Sequence, residues 1–136
     1  MSPTICDILY IEDQTDDAYL FQRAFEKSAI PCSISVVENI PTAICYLKGE
    51  APFVDRARFP FPNLIVADFA LHIADGIAFI QWLRSEPALA RVNLICLSSV
   101  EDPLKVSQIR ELAVTFMQKS ILFDDVISLI RSVVPI

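Results

Sequence analysis

Short apolar runs rich in β-branched residues recur at Ile5–Ile11, Ser33–Val37, Leu64–Ala67, Val92–Leu97 and Val114–Met117, each with the length of a strand rather than a helix. Between them the period changes. Ile40, Ala43, Ile44 and Leu47 fall at i, i+3, i+4 and i+7, and Gly76, Phe79, Ile80 and Leu83 repeat that stripe, so each set marks one apolar face of an α-helix. Strand followed by helix, five times over, predicts an α/β domain: a doubly wound five-stranded parallel sheet with five helices, of flavodoxin-like layout, joined by right-handed crossovers. Leu64-Ile65-Val66-Ala67 is the most apolar of the strands and is expected at the centre.

The punctuation agrees with this layout. Asn39 is placed to cap the second helix, Asp102 with Pro103 behind it suits a cap and first-turn pair, and Asp124 can cap the last helix. Gly49–Pro62, with three of the nine prolines, is too irregular for an element and reads as a surface loop.

Composition narrows the class. A chain of 136 residues fits a single domain, 1–136, able to bury about two-thirds of its unfolded surface. Cys6, Cys32, Cys45 and Cys96 form no CxxC pair, which argues against zinc and against a disulfide framework and fits reduced thiols in a cytoplasm. No basic leader precedes the first strand, and its apolar run stops at Glu12 and Asp13, so neither a signal peptide nor a membrane span is expected. A net charge of -6 argues against direct nucleic-acid binding. The hydrophobic fraction of 54% exceeds the roughly 45–50% of ordinary domains, as a sheet covered on both faces would, or a chain with apolar surface for a partner.

In such sheets ligands bind at the carboxyl ends of the strands. Glu12 and Asp13 end the first strand, Asp68 the third, Ser98 and Ser99 the fourth, and Lys119 follows the fifth. Carboxylates converging on one rim repel unless a hard cation lies among them, and oxygen ligands of this kind suit Mg²⁺ with room left for a phosphoryl oxygen. A carboxylate there can serve as nucleophile toward phosphorus, and Asp68 is the central candidate.

These residues resemble the receiver domains of two-component response regulators, over essentially the whole chain from Ile8-Leu9-Tyr10-Ile11-Glu12-Asp13 to the terminal helix. Asp68 precedes Asp75-Gly76 by the family's seven residues and Ser98 by its thirty, and Phe116 stands three before Lys119. The resemblance implies that Asp68 is the phosphoacceptor, that Glu12, Asp13, Asp68 and the Ala70 backbone carbonyl hold Mg²⁺, and that Ser98 and Lys119 bind the phosphoryl group. Ser98 and Phe116 would be the switch pair. It further implies a histidine kinase or phosphotransfer protein as donor, a downstream protein effector, and a homodimer or effector face on the last two helices and the fifth strand. The long loop and Gln14-Thr15-Asp16-Asp17 look like the stand-alone, phytochrome-associated subtype, with no output domain after Ile136.

The chain also departs from the family pattern. His72 stands where proline is usual four residues after the acceptor, and Ser120 replaces the proline after the lysine, where a cis bond would now cost about 2.5–4 kcal/mol. Ala70 and Val100 are apolar where the family often carries groups that position an attacking water, which implies slow hydrolysis of the acyl phosphate.

Three other readings compete with this one. A flavodoxin-type binding module needs a phosphate-cradling first loop, whereas this loop carries four carboxylates and the chain has only two glycines. An aspartyl phosphatase of the haloacid-dehalogenase kind needs a second Asp at position 70. A degenerate receiver, acting unphosphorylated as a protein-interaction domain, is motivated by His72 and Ser120. A phosphoacceptor switch rather than a turnover enzyme is the reading carried forward.

Overall fold

The structure is a computed structural model that describes residues 6–68, 73–90, 92–98, 107, 115–118, 127, 128 and 131, with the backbone alone for 73, 74, 98 and 115–118. In chain order it runs β1 (Cys6–Ile11), α1 (Thr15–Ser28), β2 (Cys32–Val37), α2 (Ile40–Lys48), β3 (Leu64–Asp68), α3 (Ile73–Ser85), β4 (Asn93–Ser98) and β5 (Thr115–Gln118). All five strands lie in one parallel sheet ordered β2-β1-β3-β4-β5, with β3 at the centre as its apolar run predicts.

Period-two alternation decides what each strand offers to each face. Leu9 and Ile11 of β1, Ile65 and Ala67 of β3, and Leu94 and Cys96 of β4 pack with Ala43, Tyr46 and Leu47 of α2 and Phe79, Ile80 and Leu83 of α3. Ile8 and Tyr10, Leu64 and Val66, and Ile95 and Leu97 pack with Phe21 and Phe25 of α1 on the other side, where Ile127 is also buried. Helices thus cover both faces. Three of the five expected helices are described; the segments expected from Pro103 and Asp124 lie outside the described residues, save for helical backbone at Ser107, Ile127, Ser128 and Arg131.

Strands β3, β4 and β5 each run one residue past the apolar run that predicts them. The backbone ladder continues to pair Asp68 with Leu97 and Ser98 with Gln118 after the apolar side chains end, because hydrogen bonding does not depend on side-chain polarity. Asp68 is the last residue of the central strand, as its place at the end of the apolar run predicts.

Helix α2 starts at Asn39, whose Oδ1 accepts from the Thr42 N–H at 2.8 Å, and ends at Gly49 in the left-handed region with φ 69°. The loop after it does more than cover the surface. Phe53 and Phe59 pack edge to face, their ring centroids 5.1 Å apart, and both lie against the α2 and α3 core.

The caps expected at Asp102 and Asp124 lie outside the described residues. Among the described residues no helix is long and apolar enough to cross a membrane.

Candidate functional site

The chain reverses its direction of sheet growth between β1 and β3: β2 is added on one side of β1, and β3, β4 and β5 on the other. A crevice opens at such a switch point beyond the carboxyl ends of the two strands. The β1–β3 register pairs Ile11 with Ala67, so the next residues, Glu12 and Asp68, leave their strands side by side. By the alternation of the strands both share the face of Tyr10 and Val66, which is the α1 side.

Helix α1 supplies the third group. Asp17, Phe21 and Phe25 recur at steps of four, and because Phe21 and Phe25 are buried, Asp17 stands one turn above them on the inward stripe. One carboxylate oxygen each from Glu12, Asp17 and Asp68 lies within 4.8 Å of the others. Asp16 and Asp17 also complement the positive end of the α1 dipole, for which Gln14 makes no side-chain cap.

Glu12 is the buried charged side chain among the described residues, at 3% exposure, whereas Asp17 and Asp68 are half-buried. Its backbone N–H donates to the Val37 carbonyl at 2.9 Å, extending the sheet by one bond. Its carboxylate is held at both oxygens: Oε2 accepts from the Tyr10 hydroxyl and Oε1 from the Gln14 N–H, each at 3.2 Å. Burial pushes the Tyr10 phenol far above its ordinary range, and the negative charges of Glu12, Asp68 and Asp17 push it the same way. Tyr10 is therefore held in its protonated form, as a hydrogen-bond donor to Glu12.

Carboxylates held this close repel one another unless a cation lies among them. All the donors are hard oxygens, which fits Mg²⁺ or Mn²⁺ and not a soft metal. An octahedral ion with bonds of about 2.1 Å spans oxygens about 3 to 4.2 Å apart, inside the 4.8 Å that bounds the trio.

Of the residues expected at the site, Glu12 and Asp68 come together. Asp13, at a bend, is exposed and is not one of the trio. Asp17 takes a place that the sequence reading did not assign, although its phase with Phe21 and Phe25 was an available signal. Ser98 ends β4, the strand next to β3, and Phe116 lies in β5 opposite Cys96; the backbone is described for both and the side chains are not. Ala70, His72, Lys119 and Ser120 lie outside the described residues.

No family model matches the chain. It is 24% identical over 127 residues to the response regulator Rcp1 of Synechocystis sp., an alignment covering 93% of this chain and 84% of that protein. Its fold matches a response regulator in red light signaling of R. palustris with a TM-score of 0.79 at 21% identity, covering 91% of this chain and 90% of that one. The phosphorylated cyanobacterial phytochrome response regulator RcpA matches with a TM-score of 0.76 at 25% identity, over 94% of this chain and 90% of that one. A Mn²⁺-bound form of Rcp1 matches with a TM-score of 0.76 at 24% identity, over 94% and 91%.

Proposed function

From its homology to response-regulator receiver domains, phytochrome-associated ones among them, we propose that this chain is a single receiver domain that accepts a phosphoryl group on Asp68 beside a divalent cation. The observation that carries this reading is the meeting of Glu12, Asp17 and Asp68 at the crevice between β1 and β3.

Asp68 would act as the nucleophile. A carboxylate oxygen attacks the phosphorus of a phosphohistidine, forming a new O–P bond as the P–N bond breaks, and the departing imidazole takes up a proton. Glu12, Asp17 and Asp68 would hold Mg²⁺, which when bound would supply neutralising charge for the transferring group. Resemblance to the family assigns Asp13 and the Ala70 carbonyl as further ligands, and Ser98 and Lys119 as partners of the phosphoryl oxygens.

Phosphorylation replaces one carboxylate charge by a group of nearly two and adds acceptor oxygens. Ser98 and Phe116 would convert that change into a shift between two existing arrangements, read by a downstream protein on the face of the last two helices and β5, which could also serve a homodimer. The donor would be a histidine kinase or phosphotransfer protein in the cytoplasm. The product is a signalling state, not a released molecule.

Incubation of the whole chain with acetyl phosphate and Mg²⁺ tests this, read by intact mass and by Phos-tag mobility. A gain of one phosphoryl group that Asp68→Asn abolishes is expected. No gain, or an equal gain in Asp68→Asn, would refute the acceptor and leave the unphosphorylated interaction domain, the reading that His72 and Ser120 favour.

A further inference from the structure

The chemistry above makes no use of the phenol that lies directly under the acidic trio. An apolar residue at position 10 would satisfy the strand pattern equally well, since Ile8, Leu64 and Val66 fill the same face. Tyr10 is instead fully buried with its hydroxyl aimed at the rim, donating to Glu12 Oε2 at 3.2 Å. Its ring stacks on Phe21, with centroids 4.0 Å apart and 26° between the planes, and Phe21 in turn packs on Phe25 at 4.8 Å.

We propose that Tyr10 is a positioning residue for the divalent cation, holding the Glu12 carboxylate in its metal-binding orientation before the ion arrives. The inference rests on the cation-binding reading of the trio. The terminal torsion of a glutamate is broad, so an unrestrained carboxylate would sweep through many orientations. Here the Tyr10 hydroxyl donates to Oε2 and the Gln14 N–H to Oε1, and a bond at each oxygen stops the rotation.

The hold extends beyond Glu12. Phe21, which fixes the plane of the Tyr10 ring, sits one turn below Asp17 on α1. One aromatic stack thus sets the orientation of Glu12 against the helix that brings Asp17, and so aligns ligands from two elements. Partners behind a metal ligand are worth roughly 10–100-fold in affinity when removed.

Tyr10→Phe deletes only the hydroxyl oxygen and keeps the ring that stacks on Phe21. Mg²⁺ binding to the whole chain is to be titrated calorimetrically for wild type, Tyr10→Phe, Glu12→Gln and the double variant, with thermal unfolding in a chelator as the folding control. Tyr10→Phe should weaken Mg²⁺ by roughly tenfold or more, and the double variant should bind no more weakly than Glu12→Gln alone, because the hydroxyl acts only through that carboxylate.

Wild-type affinity in Tyr10→Phe, or effects of the two substitutions that simply multiply, would overturn the inference. A spectroscopic measurement on the wild-type fold stands beside it: Tb³⁺ bound at the trio should luminesce when excited through tyrosine, and Tyr10→Phe should lose that emission at saturating Tb³⁺ while Tyr19→Phe keeps it. Equal emission from Tyr10→Phe would count against Tyr10 as well. If wild type bound neither ion, the cation reading itself would fall, an outcome distinct from binding that Tyr10→Phe leaves unchanged.

Discussion

Arg56 Nη1 donates to the carbonyl oxygen of Tyr46 at 2.8 Å, so a residue of the irregular loop closes the end of the helix before it. Nη2 reaches the Leu47 carbonyl at 3.1 Å, Nη1 also reaches the Phe59 carbonyl at 3.2 Å, and the guanidinium lies over the Tyr46 ring at 5.7 Å. The Tyr46 carbonyl also accepts from the Gly49 N–H at 3.1 Å, and the last carbonyls of a helix carry the negative end of its dipole, which a forked cation satisfies well.

Arg56→Ala should therefore cost on the order of 2–3 kcal/mol, seen as a lower midpoint in urea unfolding. Arg56→Lys should recover less than half, since an ammonium cannot span three carbonyls as a fork does. A loss under about 0.5 kcal/mol for Arg56→Ala would mean that Phe53 and Phe59 anchor the loop without it.

The acidic trio makes opposite demands with and without a cation. Asp17→Asn removes one of three mutually repelling charges, so the metal-free protein should gain about 1 kcal/mol at low ionic strength and less in salt. Wild type should overtake it when Mg²⁺ is added, gaining about 2.7 kcal/mol at a hundredfold excess over Kd, whereas Asp17→Asn should gain little. Asp13→Asn, altering an exposed side chain outside the trio, should shift the metal-free stability less than Asp17→Asn does. Thermal unfolding with and without Mg²⁺ checks all three proteins, and a larger metal-free effect from Asp13→Asn would show that Asp13, not Asp17, is the charge repelled most at the rim.

How far the sequence carried this picture differs by element. The core strands were legible because β1, β3 and β4 are apolar on both faces, and the rim positions of Glu12 and Asp68 followed from where those runs stop. Asp17 was not picked out, because Tyr19 and Leu20 are exposed at 61% and 37% and blur the apolar stripe that would have shown Asp17 facing inward. Tyr10 read as one more core residue, since the direction of a hydroxyl is set by tertiary packing and not by period. The folding of the long loop onto α2 was equally hidden: contacts of Arg56, Phe53 and Phe59 follow no repeat that a pattern could reveal.

Asn39 offers a test at the start of α2, where its side chain accepts from the Thr42 N–H and no acidic residue occupies the first turn. Asn39→Ala should cost about 1 kcal/mol, and Asn39→Asp should be neutral or slightly stabilising, because a carboxylate caps as well and also meets the dipole. Urea unfolding of the two variants decides it, and no loss from Asn39→Ala would mean that the bond to Thr42 contributes nothing.

The buried thiols predict how stability responds to alkali. Burial pushes Cys96 up to about 12, opposed only in part by the charge of Arg84, and burial with the neighbouring Cys32 and Asp7 pushes Cys6 up to about 12 as well. The Cys6 thiol also donates to Asn63 Oδ1 at 3.3 Å. In the unfolded chain both thiols ionise near 9. The folded state therefore holds its protons more tightly, so this contribution is present in full below about pH 9 and is lost as pH rises toward 12. Within that window each thiol adds a fall of up to about 1.4 kcal/mol per pH unit. Cys96→Ala lowers stability at neutral pH through the cavity it opens, but its decline between pH 9 and 11 should be shallower than that of wild type by nearly one proton. Urea unfolding across that range measures the slope, and parallel declines would show that the Cys96 thiol ionises in the folded protein as readily as in the unfolded chain.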